Sequence, residues 1–442
     1  MTDNSSLRRR KYIQLAGGAA TIGAAGCLGD EGDGDDDGSG GSGGSGGDNG
    51  EQTLQIQHWW TDGAAREAID VLFDGYRERN PDIDIEDNPV AGGAGENLQT
   101  VIRERVLAGD PPSTWQDWPG RNLADYVEAG ALNDIGYIFE GDFEENFREG
   151  PLLAARAGDE DNPYVAVPTN IHRINNLFYD VPTVEEADVD PEAIDDPYEM
   201  IEVLEQVEDA TGLAGISFQT GSAYSTLQLF GINLLGLFGH DTYESFRNGG
   251  SVESEVEEAL EVTDEMLDLN VPDAASLSND EAAAKIIQGD AVFAQDGDWQ
   301  GANYQVTDGY DYGDDWGHVA WPGTSGIYQI NTDGFPHPDS NPTPDATDAW
   351  LEWVGTAEAQ QAFNQLKGGV PCRTDVDVSD YPPFLQDQFD DFSNADSNPL
   401  TIAHGDGVTP QQDVALKNAI SRFMENRDVA ETTGQLLDAV SQ

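Results

Sequence analysis

Between residues 54 and 60 the chain alternates: Leu54 and Ile56 are apolar, Gln55 and Gln57 polar, and His58, Trp59 and Trp60 close the run. A period of two marks a half-buried strand. The turn Thr61-Asp62-Gly63 follows, and a helical pattern starts at Ala64. Successive strand residues point to opposite faces, so the pattern offers at least one indole to a groove at the carboxyl edge of the strand, where open α/β sheets bind ligands. The alternative is that both tryptophans plug the first helix onto the sheet.

Ala68, Leu72, Phe73 and Tyr76 recur at helical spacing until Asn80-Pro81 stops them. Ile83 and Ile85 alternate with acids as a second strand, and a helix is expected over Leu98–Leu107. The segment from Pro111 to Trp118 reads as a buried strand running into a polar and aromatic edge. Strands alternating with helices in this way predict a mostly parallel sheet. The rhythm changes at Tyr164-Val165-Ala166-Val167, which flows without a turn through Pro168–Arg173 into Asn176–Tyr179. One long strand crossing between two lobes accounts for it. Amphipathic runs follow over 198–207, 227–237, 252–269 and 282–288, then a strand, Ala291–Ala294, ending on Gln295-Asp296-Gly297-Asp298-Trp299. Beyond a proline-rich stretch (336–344), helices are expected over 346–354, 357–366 and 410–439.

These elements predict an α/β chain of two lobes, each a mostly parallel sheet flanked by helices, with a ligand cleft between them. The expected partition is 52–168 with 302–340 in the first lobe and 169–301 with 341–442 in the second. A length of 442 residues supports two cores of that size.

Charge narrows the partners. With 85 acidic against 20 basic residues the formal net charge is −65. Nucleic acid and anionic lipid surfaces are excluded, because both need clustered positive charge. An acidic chain with 9% aromatic residues fits a folded protein of a high-salt environment, where screening removes self-repulsion.

The first 26 residues carry a topological signal. Arg8-Arg9-Arg10-Lys11-Tyr12-Ile13 contains the twin-arginine export pattern, and the weakly apolar run after it is too short to span a membrane. Ala24-Ala25-Gly26-Cys27 resembles a lipoprotein cleavage box with Cys27 as the lipidated residue; an uncleaved anchor is the alternative. Residues 27–51 form an acidic Gly/Ser tether without a burial pattern. Its Gly38–Gly43 run matches G-x-G-x-x-G without flanking strand or helix, and its aspartates begin a calcium-loop pattern that ends on Gly44 rather than Glu. Neither carries a site. With Cys27 in the anchor, Cys372 is left as a lone thiol.

Catalytic signatures such as HExxH and GxSxG are absent, and the six histidines are scattered. No cofactor or metal is expected. Trp59-Trp60, Ala91–Gly95, Leu107–Gln116, Pro168–Asn175, Gly297-Asp298-Trp299, Leu366-Lys367-Gly368 and His404-Gly405 together resemble an extracellular solute-binding protein of a sugar ABC transporter, family 1, nearest its glucose- and mannose-binding members and of haloarchaeal lipoprotein type. The resemblance covers most of 52–440. It implies a sugar ligand, ABC permease subunits as partners, a monomer, and a location at the extracellular face of the cell membrane.

By the same resemblance Trp59 or Trp60 stacks a pyranose face. Gln116, Asp298, Lys367 and His404 hydrogen-bond hydroxyls, and His172-Arg173 lies near the lobe junction. Trp299 is grouped with the site, and so is Trp118, which stands where glucose binders often carry a histidine. A tryptophan usual in the 218–224 segment is missing, and Gln219 and Tyr224 are offered instead. The sugar is therefore left open between a monosaccharide and a short oligosaccharide. Plainer roles also stay open: Lys367 as a surface lysine, Asp298 as a turn cap, His404 as a structural histidine. A secreted glycan hydrolase or a surface glycan-binding module are the competing functions.

Overall fold

The computed structural model describes residues 52–92 and 95–441. The export segment, the tether, Cys27 and part of the glycine loop lie outside them. The alternating run becomes β1 (Gln52–His58), with Leu54 and Ile56 fully buried. It is the central strand of a parallel three-stranded sheet, between β2 (Ile83–Pro89) and β3 (Thr114–Trp115). The strand expected over 111–118 is thus only two residues long. The helix Gly63–Arg79 buries Ala68, Ile69, Leu72, Phe73 and Tyr76, the face set by its three-and-four spacing.

The crossing segment is β4 (Ala166–Arg173), every residue of which is buried. It pairs antiparallel with β9 (Ile330–Pro336), from Ala166 opposite Pro336 to Arg173 opposite Ile330. Two residues on, β5 (Asn176–Asp180) enters the second sheet beside β7 (Ala291–Asp296) and β8 (Trp316–Ala320), with β6 (Ala214–Ser217) at the far edge. Only β6 and β7 run parallel there; β5 is antiparallel to both of its neighbours. The second sheet is therefore mixed, not mostly parallel as expected. The helices between β6 and β7 return the chain for a parallel pair, whereas β5 arrives from the β4 side in the opposite sense.

The lobe partition also differs from the expected one. Residues 302–327 were assigned to the first lobe, yet Trp316–Ala320 pairs with β5, and Tyr304, Trp316 and Trp321 pack in the second-lobe cores. Residues 341–372 were assigned to the second, yet Trp350, Phe363, Val370 and Cys372 pack with Leu54, Ile56 and Phe73. The proline-rich stretch, where the expected boundary falls, does not carry the chain into the second lobe. The helices Pro344–Val354 and Ala357–Lys367 return to the first sheet, while Ile402 and the two C-terminal helices close a core around Leu227–Leu235. Gly239, at φ +76°, breaks the long helix Ala223–Arg247. No helix among the described residues is long and apolar enough to cross a membrane.

Candidate functional site

A cavity of about 650 Å³ opens at the carboxyl edge of β1 and reaches the loops of the second lobe. The end of β1 delivers Trp59 and Trp60 to it, and they take different roles. Trp60 is 4% exposed and sits in the core against Phe335 and Phe363, presenting one edge to the cavity. Trp59 is half-buried, its ring 4.9 Å from Trp118. Gly95 makes room for this pair. At φ +94° it adopts a left-handed conformation, and a Cβ there would lie 3.2 Å from Trp59 and 3.3 Å from Trp118.

The second lobe supplies the opposite wall. Its His404 meets Trp118 and Tyr224 at ring separations of 4.9 Å each and Trp299 at 5.7 Å. His404 Nε2 lies 2.8 Å from the Tyr224 hydroxyl. Burial holds the His404 pKa well below its ordinary value, so the ring is neutral at pH 7. Gln219 accepts from the Ser222 N–H and donates to the Ser222 and Ser225 hydroxyls, fixing the start of the helix that carries Tyr224.

The floor is the β4–β9 ladder. His172 on β4 and Asn331 and Asp333 on β9 line the cavity, with Lys367 from the end of its helix. Residues two apart on a strand share a face, which puts Asn331 and Asp333 side by side. Asp333 accepts from Gln116 Nε2 and Asn170 Nδ2, each at 3.1 Å, and lies 3.3 Å from His172 Nε2. Lys367 Nζ stands 2.9 Å from the same His172 nitrogen and 5.8 Å from the rings of both Trp60 and Trp299. Burial opposes ionisation of Asp333, but the His172 hydrogen bond and the Lys367 charge outweigh it and hold its pKa at about 2. Burial lowers the Lys367 pKa against the pull of Asp333 and Asp298. At His172, burial and Lys367 push the pKa down, Asp298 and Asp333 push it up, and the carboxylates prevail.

Of the residues singled out from sequence, Trp59, Trp60, Trp118, His172, Trp299, Lys367 and His404 line this cavity. Gln116 and Asp298 do not. Gln116 is buried behind Trp59, whose N–H its Oε1 accepts at 3.1 Å while its Nε2 reaches Asp333. Asp298 is fully buried, bonded to His172 Nδ1 and accepting the Arg173 N–H at 2.9 Å. It makes no side-chain cap either, so neither role read from sequence describes it. It orients the imidazole from behind. Asn331 and Asp333 were missed. Their one signal was a pair of polar residues two apart, hidden because Thr332 between them and Gly334 after them are not apolar.

A family model described as bacterial extracellular solute-binding protein matches residues 60–361. The xylose/arabinose-binding protein XacG of Haloferax volcanii is 34% identical over 460 residues, spanning 100% of this chain and 99% of that one. An uncharacterised ABC transporter extracellular-binding protein of Pyrococcus horikoshii is 30% identical, spanning 88% of each. Among solved structures, the galactopyranose receptor AcbH superposes with a TM-score of 0.74 at 17% identity, over 89% of this chain and 98% of its own. A chitin oligosaccharide binding protein gives 0.76 at 16%, over 88% and 98%. At those identities the structures establish the shared fold.

Proposed function

Because the chain belongs to the family of bacterial extracellular solute-binding proteins, we propose that its cleft captures an uncharged sugar, a monosaccharide or short oligosaccharide, and delivers it to the membrane subunits of an ABC importer. One observation carries the reading: aromatic side chains from both lobes line the cavity together with a floor of fixed polar groups. A sugar ring offers C–H faces above and below and hydroxyls around its rim, and a largely preformed pocket with a few placed polar groups suits that shape. The xylose/arabinose specificity named for the relative XacG supports the class. Among the described residues lining the cavity Lys367 is the one lysine or arginine, and it shares the lining with Asp62, Asp280, Glu281 and Asp333. An anionic sugar would find no spare cation. The protein acts as a binder, and a sugar incubated with it is expected back unchanged.

Around this core we place the export features. The twin-arginine segment sends the folded chain outward, Cys27 carries the lipid, and the acidic tether holds a monomeric body at the outer face of the membrane in high salt.

The test is a thermal-shift panel in molar potassium chloride with D-xylose, L-arabinose, D-glucose, D-mannose and maltose beside amino acids and tripeptides. Bound ligand adds about 2.7 kcal/mol of stability at a hundredfold excess over Kd. One or a few sugars should raise Tm. A rise with amino acids or peptides and none with sugars would overturn the assignment.

A further inference from the structure

Asn331 breaks the pattern of its surroundings. It is 1% exposed and lines the cavity, yet its side chain has no hydrogen-bond partner among the described residues, and its Oδ1 is buried and unsatisfied. The other polar side chains of the floor that line the cavity are engaged: Asp333 with Gln116 and Asn170, His172 with Asn170 and Asp298, Lys367 with His172. A buried carboxamide without partners is destabilising, and native structures rarely keep one without a reason. Its place on β9, on the face shared with Asp333, aims it where a ligand would rest on the floor.

We infer that Asn331 is a specificity-determining residue that reads one ligand hydroxyl, so that this hydroxyl becomes a condition of binding. The inference rests on the sugar reading above. The physical reason is asymmetry. A site built around a hydrogen bond rejects an analogue lacking the hydroxyl, because the buried amide is then left unpaired inside the complex. The walls have no such power, since aromatic faces accept any ring of suitable size. Asn331 thus separates sugars that the walls treat alike.

The role predicts an uncommon pairing of effects. Asn331→Leu removes an unpaired buried polar group at similar size, so the free protein keeps or gains stability while affinity falls. A structural asparagine would show the reverse. The experiment is calorimetric titration of D-xylose, L-arabinose and D-glucose, each with its monodeoxy analogues, against wild type, Asn331→Leu and Asn331→Ala. Denaturant unfolding of all three is measured in the same molar salt. In wild type, removing one particular hydroxyl should weaken binding about tenfold or more, the order of one hydrogen bond left unmade. Both variants should be weakened by a similar factor for the parent sugar and should be indifferent to loss of that hydroxyl, a non-additivity that isolates the contact. The alanine variant adds no bulk, so it answers the question even if leucine is too large. Wild-type affinity in the variants, or unchanged dependence on every hydroxyl, would overturn the role of Asn331 and leave the sugar reading standing. Absence of binding by wild type to these three and to the mannose and maltose of the panel would overturn both.

Discussion

The edge of β1 and the β4–β9 floor meet in one cavity but are built by opposite rules. At the edge, a half-buried strand stops and two indoles spill past its end, one into the core and one half-exposed beside Trp118. On the floor, two uniformly buried strands carry Asn170, His172 and Asp333, which Asp298 and Gln116 join in a polar network. The edge holds its ligand-facing groups by packing, the floor by hydrogen bonds and charge. Packing at a cleft mouth can lose a ring and leave the fold standing. A buried charge network cannot lose a member without exposing the rest to uncompensated burial.

The largest break expected from this contrast is at Asp298. Replacing it with alanine leaves His172 and the Arg173 N–H without their acceptor inside a fully buried site. Removing one partner of such a group costs about 3–5 kcal/mol, measurable as a shift in denaturant midpoint with unchanged slope. Affinity should fall as well, since the imidazole loses its orientation. Loss of affinity with an unchanged midpoint would return Asp298 to the cavity wall as a ligand residue.

Next in size is a pH effect from Asp333. Its pKa of about 2 lies below the ordinary carboxylate value, so the folded state favours the ionised form. That stabilisation is complete above the unfolded pKa near 3.9 and is lost as pH falls toward 2; the difference corresponds to about 2 kcal/mol. The stability gap between wild type and Asp333→Asn should therefore narrow by about that amount between pH 4 and pH 2. A constant gap would remove Asp333 from the ion network.

The smallest effect on the fold is expected at Trp59. Trp59→Ala gives up one tilted aromatic contact, about 1 kcal/mol of stability. As a central aromatic anchor it should cost affinity by about 2 kcal/mol, roughly thirtyfold. Equal losses in stability and affinity would erase the distinction between edge and floor.

The same contrast explains what was legible in sequence. Alternation at Leu54–His58 and three-and-four spacing at Ala68–Tyr76 are local signals, and both elements formed where they were expected. Trp59 and Trp299 stood out as aromatics at strand ends, Lys367 and His404 through the family resemblance, and all reach the cavity. The floor gave no such signal, because a strand buried on both faces has no alternation. Asn331 and Asp333 meet His172 only through a ladder joining residues some 160 positions apart. Asp298 was visible by its position beside Trp299 but not by its orientation, which a partner 126 residues away decides. The lobe partition failed for a related reason: prolines between 336 and 344 mark a loop, and nothing local says to which sheet the chain returns.

The central claim is that a sugar is gripped between two aromatic walls above this floor. Its most direct test is titration of the intrinsic tryptophan fluorescence of the full-length protein with D-xylose and L-arabinose in molar salt. Trp59, Trp118 and Trp299 report because all three line the cavity. The account predicts a saturable change with one of the two sugars, reduced in Trp59→Ala and absent for leucine or a tripeptide. A flat response to both sugars with a saturable response to an amino acid or peptide would contradict it.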